Sequence, residues 1–89
     1  KNNEETQLAK KELKKREELL AKVESEVENL EAKKQKLELQ MADPELYADE
    51  EKAQQIQNSY QDLEKKLDRL NAEWESLVDQ ISSLQEAIA

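Results

Sequence analysis

Ala53, Ile56, Tyr60, Leu63, Leu67, Leu70, Trp74, Leu77, Ile81, Leu84 and Ile88 follow one another in alternating steps of three and four residues without a break. That spacing marks the a and d positions of a heptad, the apolar seam of one long helix. The first half of the chain repeats the pattern less cleanly, through Thr6, Ala9, Leu13, Arg16, Leu20, Val23, Val27, Leu30, Lys34, Leu37 and Met41. Arg16 and Lys34 are basic intrusions, and polar residues in a seam lower stability while fixing register. A disordered acidic chain would have no reason to keep two such seams.

Between the seams stands the only punctuation, Ala42-Asp43-Pro44-Glu45-Leu46-Tyr47-Ala48-Asp49-Glu50-Glu51. Pro44 drives Asp43 out of the helical region, which stops the first helix near Ala42. Asp43 before Pro44 reads as the cap and first residue of a short helical turn. Asp49 followed by Glu50 and Glu51 is a second start signal, with carboxylates at the positive end of a new helix. Leu46 and Tyr47 are placed to fold back over the seam ends. A connection this short joins antiparallel neighbours. The reading is therefore all-α: two long helices, about 5–42 and about 50–88, with a tip at 43–49. They form a single antiparallel intramolecular coiled-coil hairpin domain over 1–89, acting as a monomer. The middle layers should carry it, through Leu20, Val23, Val27, Leu63, Leu67 and Leu70.

Two registers satisfy the seams. One sets Arg16 beside Trp74, Leu30 beside Tyr60 and Met41 near the Asp49 cap. The other sets Val23 beside Trp74 and Leu37 beside Tyr60. The first is preferred, because it gives Arg16 an aromatic face and leaves no overhanging turn at the tip.

Composition narrows the chemistry. The 89 residues include no Gly, no Cys and no His, so there is no thiol nucleophile, no imidazole base and no zinc site of the usual kind. Charged residues make up 40%, against roughly 25% in an average domain, a composition that fits either a disordered acidic chain or a long-helix coiled coil. No apolar run approaches the ~20 residues of a membrane span, so no membrane partner is expected. The chain begins at Lys1 rather than Met and reads as a piece of a larger protein. Asp43, Glu45, Asp49, Glu50 and Glu51 lack the Gly and the alternation of a calcium loop and read as caps, so no metal site is expected. Nothing here would bury a carboxylate and raise its pKa for acid–base work, and no catalytic residue is expected.

Charge is unevenly distributed. Residues 1–22 hold seven basic and five acidic side chains, while 23–89 hold seven and seventeen, so Lys10, Lys11, Lys14 and Lys15 give an acidic chain a basic start. In an antiparallel pair the g positions of the two helices face each other, and so do the e positions. The g-and-c flank collects Lys1, Lys15, Lys22, Lys33, Lys36, Lys52, Lys66 and Arg69 against five acids, a net +3. The e-and-b flank collects Glu17, Glu24, Glu28, Glu31, Glu38, Glu64, Asp68 and Glu75 against Lys10 and Lys14, a net −6. One side of the hairpin is basic and the other acidic. The basic side is the candidate site for backbone phosphates, with Lys15, Lys22, Lys33, Lys66 and Arg69 on it and Lys22 expected near Lys66 and Arg69. Lys10, Lys11 and Lys14 assist from the helix start. The alternative is a solvated helix surface, on a structural spacer or protein-interaction coiled coil with no nucleic-acid ligand. Leu8, Leu19, Leu39 and Val78 lie off the seam, while Trp74 lies on it and reads as packing.

The tip, Ala42-Asp43-Pro44-Glu45-Leu46-Tyr47-Ala48-Asp49, the Leu-rich acidic helix after it, and Ala72-Glu73-Trp74-Glu75-Ser76-Leu77 resemble the C-terminal domain of bacterial ABC-F ATPases. The resemblance runs from about Leu13 to Ile81. In those proteins two ATP-binding cassette domains precede a charged linker and a coiled-coil hairpin. It implies a cytoplasmic protein acting on the ribosome and translation, and partners among DNA, ribosomal RNA or tRNA backbones and the parent ATPase domains. ATP and Mg²⁺ would belong to that parent. With no Gly, this chain has no phosphate-binding loop, and the implied role is a non-catalytic nucleic-acid-binding or ribosome-binding arm with no cofactor of its own.

Overall fold

A computed structural model describes residues 3–89. Helix α1 runs Asn3–Met41, a five-residue 3₁₀ turn spans Pro44–Ala48, and helix α2 runs Glu50–Ile88. The helices lie side by side in a rod measuring 68 × 15 × 14 Å. Its radius of gyration, 19.9 Å, compares with about 12 Å for a globular chain of this length. There is no central core, only a ladder of thin layers.

How a chain without glycine reverses direction is visible at the tip. No described residue has positive φ. Instead, two aspartates in extended backbone bracket the 3₁₀ turn: Asp43 (φ −81°, ψ 117°) and Asp49 (φ −114°, ψ 97°). The Asp43 carboxylate accepts from the Glu45 N–H at 3.0 Å, and that of Asp49 accepts from the Lys52 N–H at 3.1 Å. Each acid thus satisfies an orphan donor of the segment it starts. Pro44 sits at the first turn position, where its missing N–H does no harm. The Tyr47 hydroxyl donates to the Met41 carbonyl at 2.6 Å, closing the C-terminal end of α1. Leu46 is buried against the start of α2, where Ala53 is buried too.

Along α1, every residue that is not exposed belongs to the seam read from the sequence, Thr6 to Met41. Val23, Leu30, Leu67, Leu70 and Leu77 form the most buried cluster, with Leu20, Val27 and Leu63 against it. In α2 the seam holds except at one place: Trp74 is 37% exposed, and Val78, one turn on, is half-buried. An indole is too large for a two-helix layer, and its N–H needs a polar partner.

The register differs from the preferred expectation. The indole N–H of Trp74 donates to Glu24 Oε2 at 3.0 Å, and the Tyr60 hydroxyl donates to Glu38 Oε2 at 3.1 Å. Lys34 Nζ lies 3.9 Å from Glu64 Oε2, and Arg16 Nε donates to Gln80 Oε1 at 2.6 Å. These pairs set Val23, not Arg16, beside Trp74, and Leu37, not Leu30, beside Tyr60. The hairpin is displaced by one heptad, and the first turn of α2 overhangs the end of α1. Leu46 covers the overhang. Arg16 gains a planar acceptor and Glu12, whose Oε2 lies 3.1 Å from its Nη1, in place of an aromatic face.

Candidate functional site

A rule of geometry orders the polar contacts. Residues at a lean toward the e flank of the partner helix, and residues at d toward its g flank. Lys34, Tyr60 and Trp74 all occupy a, and their partners Glu64, Glu38 and Glu24 all occupy e. Arg16 occupies d, and its partner Gln80 occupies g. Part of the acidic flank therefore has a structural task, since its glutamates accept from the seam residues that are too large or too polar to be buried. Lys34 also lies over the Tyr60 ring, 5.6 Å from its centroid. The Tyr60 hydroxyl is pushed above its ordinary pKa by desolvation first, then by its bond to Glu38 and that residue's charge, with Lys34 opposing. Sequence reasoning saw acid facing acid and missed this pairing. The signal was present in the fixed heptad offset between a-position donors and e-position glutamates.

Beside Lys34, the acidic flank forms an open groove between the helices, where Glu28, Glu31 and Glu38 of α1 meet Glu64 and Asp68 of α2. Among the described residues no group of His, Cys, Asp or Glu side chains could hold a metal ion.

The opposite flank carries the candidate cations. Lys15, Lys22, Lys33, Lys66 and Arg69 are all exposed. Among the described residues none of the five is held in an ion pair. Lys33 and Lys36 border a shallow apolar groove with Leu37, Leu39, Ser59 and Leu63, which confirms that the g positions of the two helices meet on this side. Lys1 lies outside the described residues.

The register changes which cations come together. Lys22 stands level with Glu75 and not with Lys66 and Arg69, which lie roughly 15 Å and roughly 10 Å farther toward the tip along the rod. Lys66 faces Lys33 instead, with Arg69 one turn away. Lys10 and Lys14 project from the acidic flank and Lys11 from the outer face of α1, so these three do not join the others on one surface.

A family model for the ABC transporter C-terminal domain matches residues 7–79. The chain belongs to that family. No curated protein and no solved structure matches it. The matched span takes in the whole tip and most of both helices. As an ABC transporter C-terminal domain, the hairpin is an accessory arm of an ABC-type ATPase and not the ATPase domain itself. No helix among the described residues is long and apolar enough to cross a membrane.

Proposed function

We propose that this accessory arm meets nucleic-acid backbone through its basic flank, as part of an ABC-F type ATPase working in the cytoplasm. The observation that carries the reading is the separation of charge. Lys15, Lys22, Lys33, Lys66 and Arg69 stand exposed and unpaired on one flank, while acids on the other are drawn into the seam by Trp74, Tyr60 and Lys34. Unpaired cations on an extended rod are available to phosphates without first breaking internal bonds. The facing Lys33 and Lys66 make the densest point, with Lys22 and Lys15 extending the track toward the base and Lys10, Lys11 and Lys14 adding field there. Phosphate contacts carry no base information, so DNA, ribosomal RNA and tRNA present the same chemistry to this flank.

The tip sequence and the Trp74 segment support the ABC-F assignment, in which ATP and Mg²⁺ are handled by cassette domains and the arm contributes no catalytic group. The arm acts as a monomer, and exposed Leu8 and Leu39 are available to neighbouring domains of the parent.

The net charge of −8 opposes the contact, so affinity at physiological salt should be on the order of 10⁻⁴–10⁻⁶ M. Fluorescence anisotropy with labelled duplex DNA and structured RNA tests this. Replacing Lys33, Lys66 and Arg69 together by Glu should abolish binding while leaving helicity intact. Glu31→Lys should tighten it. Glu24 and Glu64 are unsuitable for that purpose because they hold Trp74 and Lys34. If the wild-type hairpin binds neither nucleic acid at low salt, the structural spacer is the better reading.

A further inference from the structure

We propose that the hairpin has two registers one heptad apart, and that the observed one is held by its tip. The inference rests on the seam and the tip and does not require that the basic flank bind phosphate.

The first support is an acceptor ladder. Positions e of α1 carry Glu17, Glu24, Glu31 and Glu38, one carboxylate every seven residues. The donors Tyr60 and Trp74 are two heptads apart on α2. Sliding α2 by one heptad toward the base, about 10 Å, moves Trp74 from Glu24 to Glu17 and Tyr60 from Glu38 to Glu31. Arg16 passes from Gln80 to Glu73, and Lys34 from Glu64 to Gln57. Each of these four polar seam residues keeps an acceptor. The apolar layers re-form as Leu13 on Leu77, Leu20 on Leu70, Val23 on Leu67 and Val27 on Leu63. A slide in the opposite direction fails: it takes Tyr60 to Glu45, which lies in the 3₁₀ turn, and Arg16 to Ala87. The sequence therefore permits a slip one way only.

The second support is charge. In the observed register Lys33 faces Lys66 and Glu26 faces Glu73, two like-charged pairs on one flank. The slide removes both and sets Glu26 against Lys66. Facing like charges are destabilising, so the flank favours the slid register and the tip opposes it.

The third support is the tip. The first turn of α2 stands beyond Met41 and is covered by Leu46, while Tyr47 is bonded to the Met41 carbonyl. The slide draws that overhanging turn back beside the last turn of α1 and turns Pro44–Ala48 into a plain loop. Neither helix has to melt. The arrangement is a two-state element of the kind that converts a displacement at one end of a rod into a rearrangement at the other.

Because the chain has no cysteine, disulfide trapping reads the register directly. Leu77→Cys is paired in turn with Leu20→Cys, which reports the observed register, with Leu13→Cys, which reports the slide, and with Val27→Cys, which reports the opposite slide. In a static hairpin Leu13 and Val27 lie one heptad to either side of Leu77's partner, so their pairs oxidise equally slowly. The proposal expects the Leu13 pair to close at least about tenfold faster than the Val27 pair, as for a populated minor state. Leu46→Ser should raise that rate, and Glu73→Lys should lower it by opposing Arg16 after the slide. Equal rates for the two pairs overturn the proposal. So does an advantage of the Leu13 pair that Glu73→Lys leaves unchanged, since that is fraying at the base. Should circular dichroism show that Leu77→Cys unfolds the hairpin, Ile81→Cys with Arg16→Cys, Ala9→Cys and Val23→Cys gives the same three readings at a less buried layer, and the same equalities overturn it.

Discussion

Tyr60 and Trp74 show how an oversized residue is accommodated in a two-helix seam, with the ring packed along the seam and the polar end carried to a glutamate outside it. For Tyr60 this has a pH consequence. Its folded pKa lies above the unfolded value of about 10, so the folded hairpin holds the proton over a range where the unfolded chain has lost it. The stability this contributes is fully present below pH ~10 and is lost as pH rises through the folded pKa. Tyr60→Phe should therefore remove part of the alkaline loss of helicity, measured as the difference between variant and parent melting temperatures from pH 9 to 12. Burial separates the leucines just as clearly. Leu67 is 6% exposed and Leu39 73%. Leu67→Ala should cost about 2 kcal/mol or more in urea unfolding, and Leu39→Ala should stay within about 0.5 kcal/mol. A large cost at Leu39 would mean that its outer face is covered after all.

The tip and the helices are separable elements. Asp49 is the N-cap of α2, and Asp49→Ala should destabilise the hairpin by about 1 kcal/mol in the same unfolding assay. Replacing Leu46 and Tyr47 together by Ser removes the cover over Ala53 and the bond to Met41. Amide exchange should then speed at the tip, while protection persists in the middle layers around Val23, Val27, Leu67 and Leu70. Uniform loss of protection along both helices would show that the tip nucleates the whole hairpin. The helices and caps were legible in the sequence because each follows from local chemistry, a 3-and-4 spacing or an aspartate before a proline or acidic turn. The register was not. Glu17, Glu24, Glu31 and Glu38 repeat with the heptad itself, so a shift of seven residues leaves the pattern nearly unchanged. What selects between the two is Leu46 folding onto the overhanging turn, a contact that spacing alone does not rank. The pairing of Lys33 with Lys66, and the distance of Lys22 from both, depend on that choice and were misplaced with it.

At the scale of the whole molecule, the hairpin is a rod with one acidic and one basic flank, and the basic flank is the one proposed to meet phosphate. Salt should weaken that contact with a slope of about −0.7 to −0.9 per phosphate neutralised, a dependence that apolar docking of Leu39 would not show. The flank assignment was readable from heptad positions before the register was known, since a slip by a whole heptad keeps every residue on its own side. The structural task of Glu24, Glu38 and Glu64 was not, because it requires knowing which donor stands across from each. The most direct measurement is a titration of the isotope-labelled hairpin with duplex DNA and with structured RNA at low salt, following each backbone amide. Phosphate contact through the basic flank should concentrate the shifts at Lys15, Lys22, Lys33, Lys66, Arg69 and their neighbours, with Glu28, Glu31, Glu64 and Asp68 unmoved. Amides that stay still throughout, or shift equally on both flanks, would contradict it.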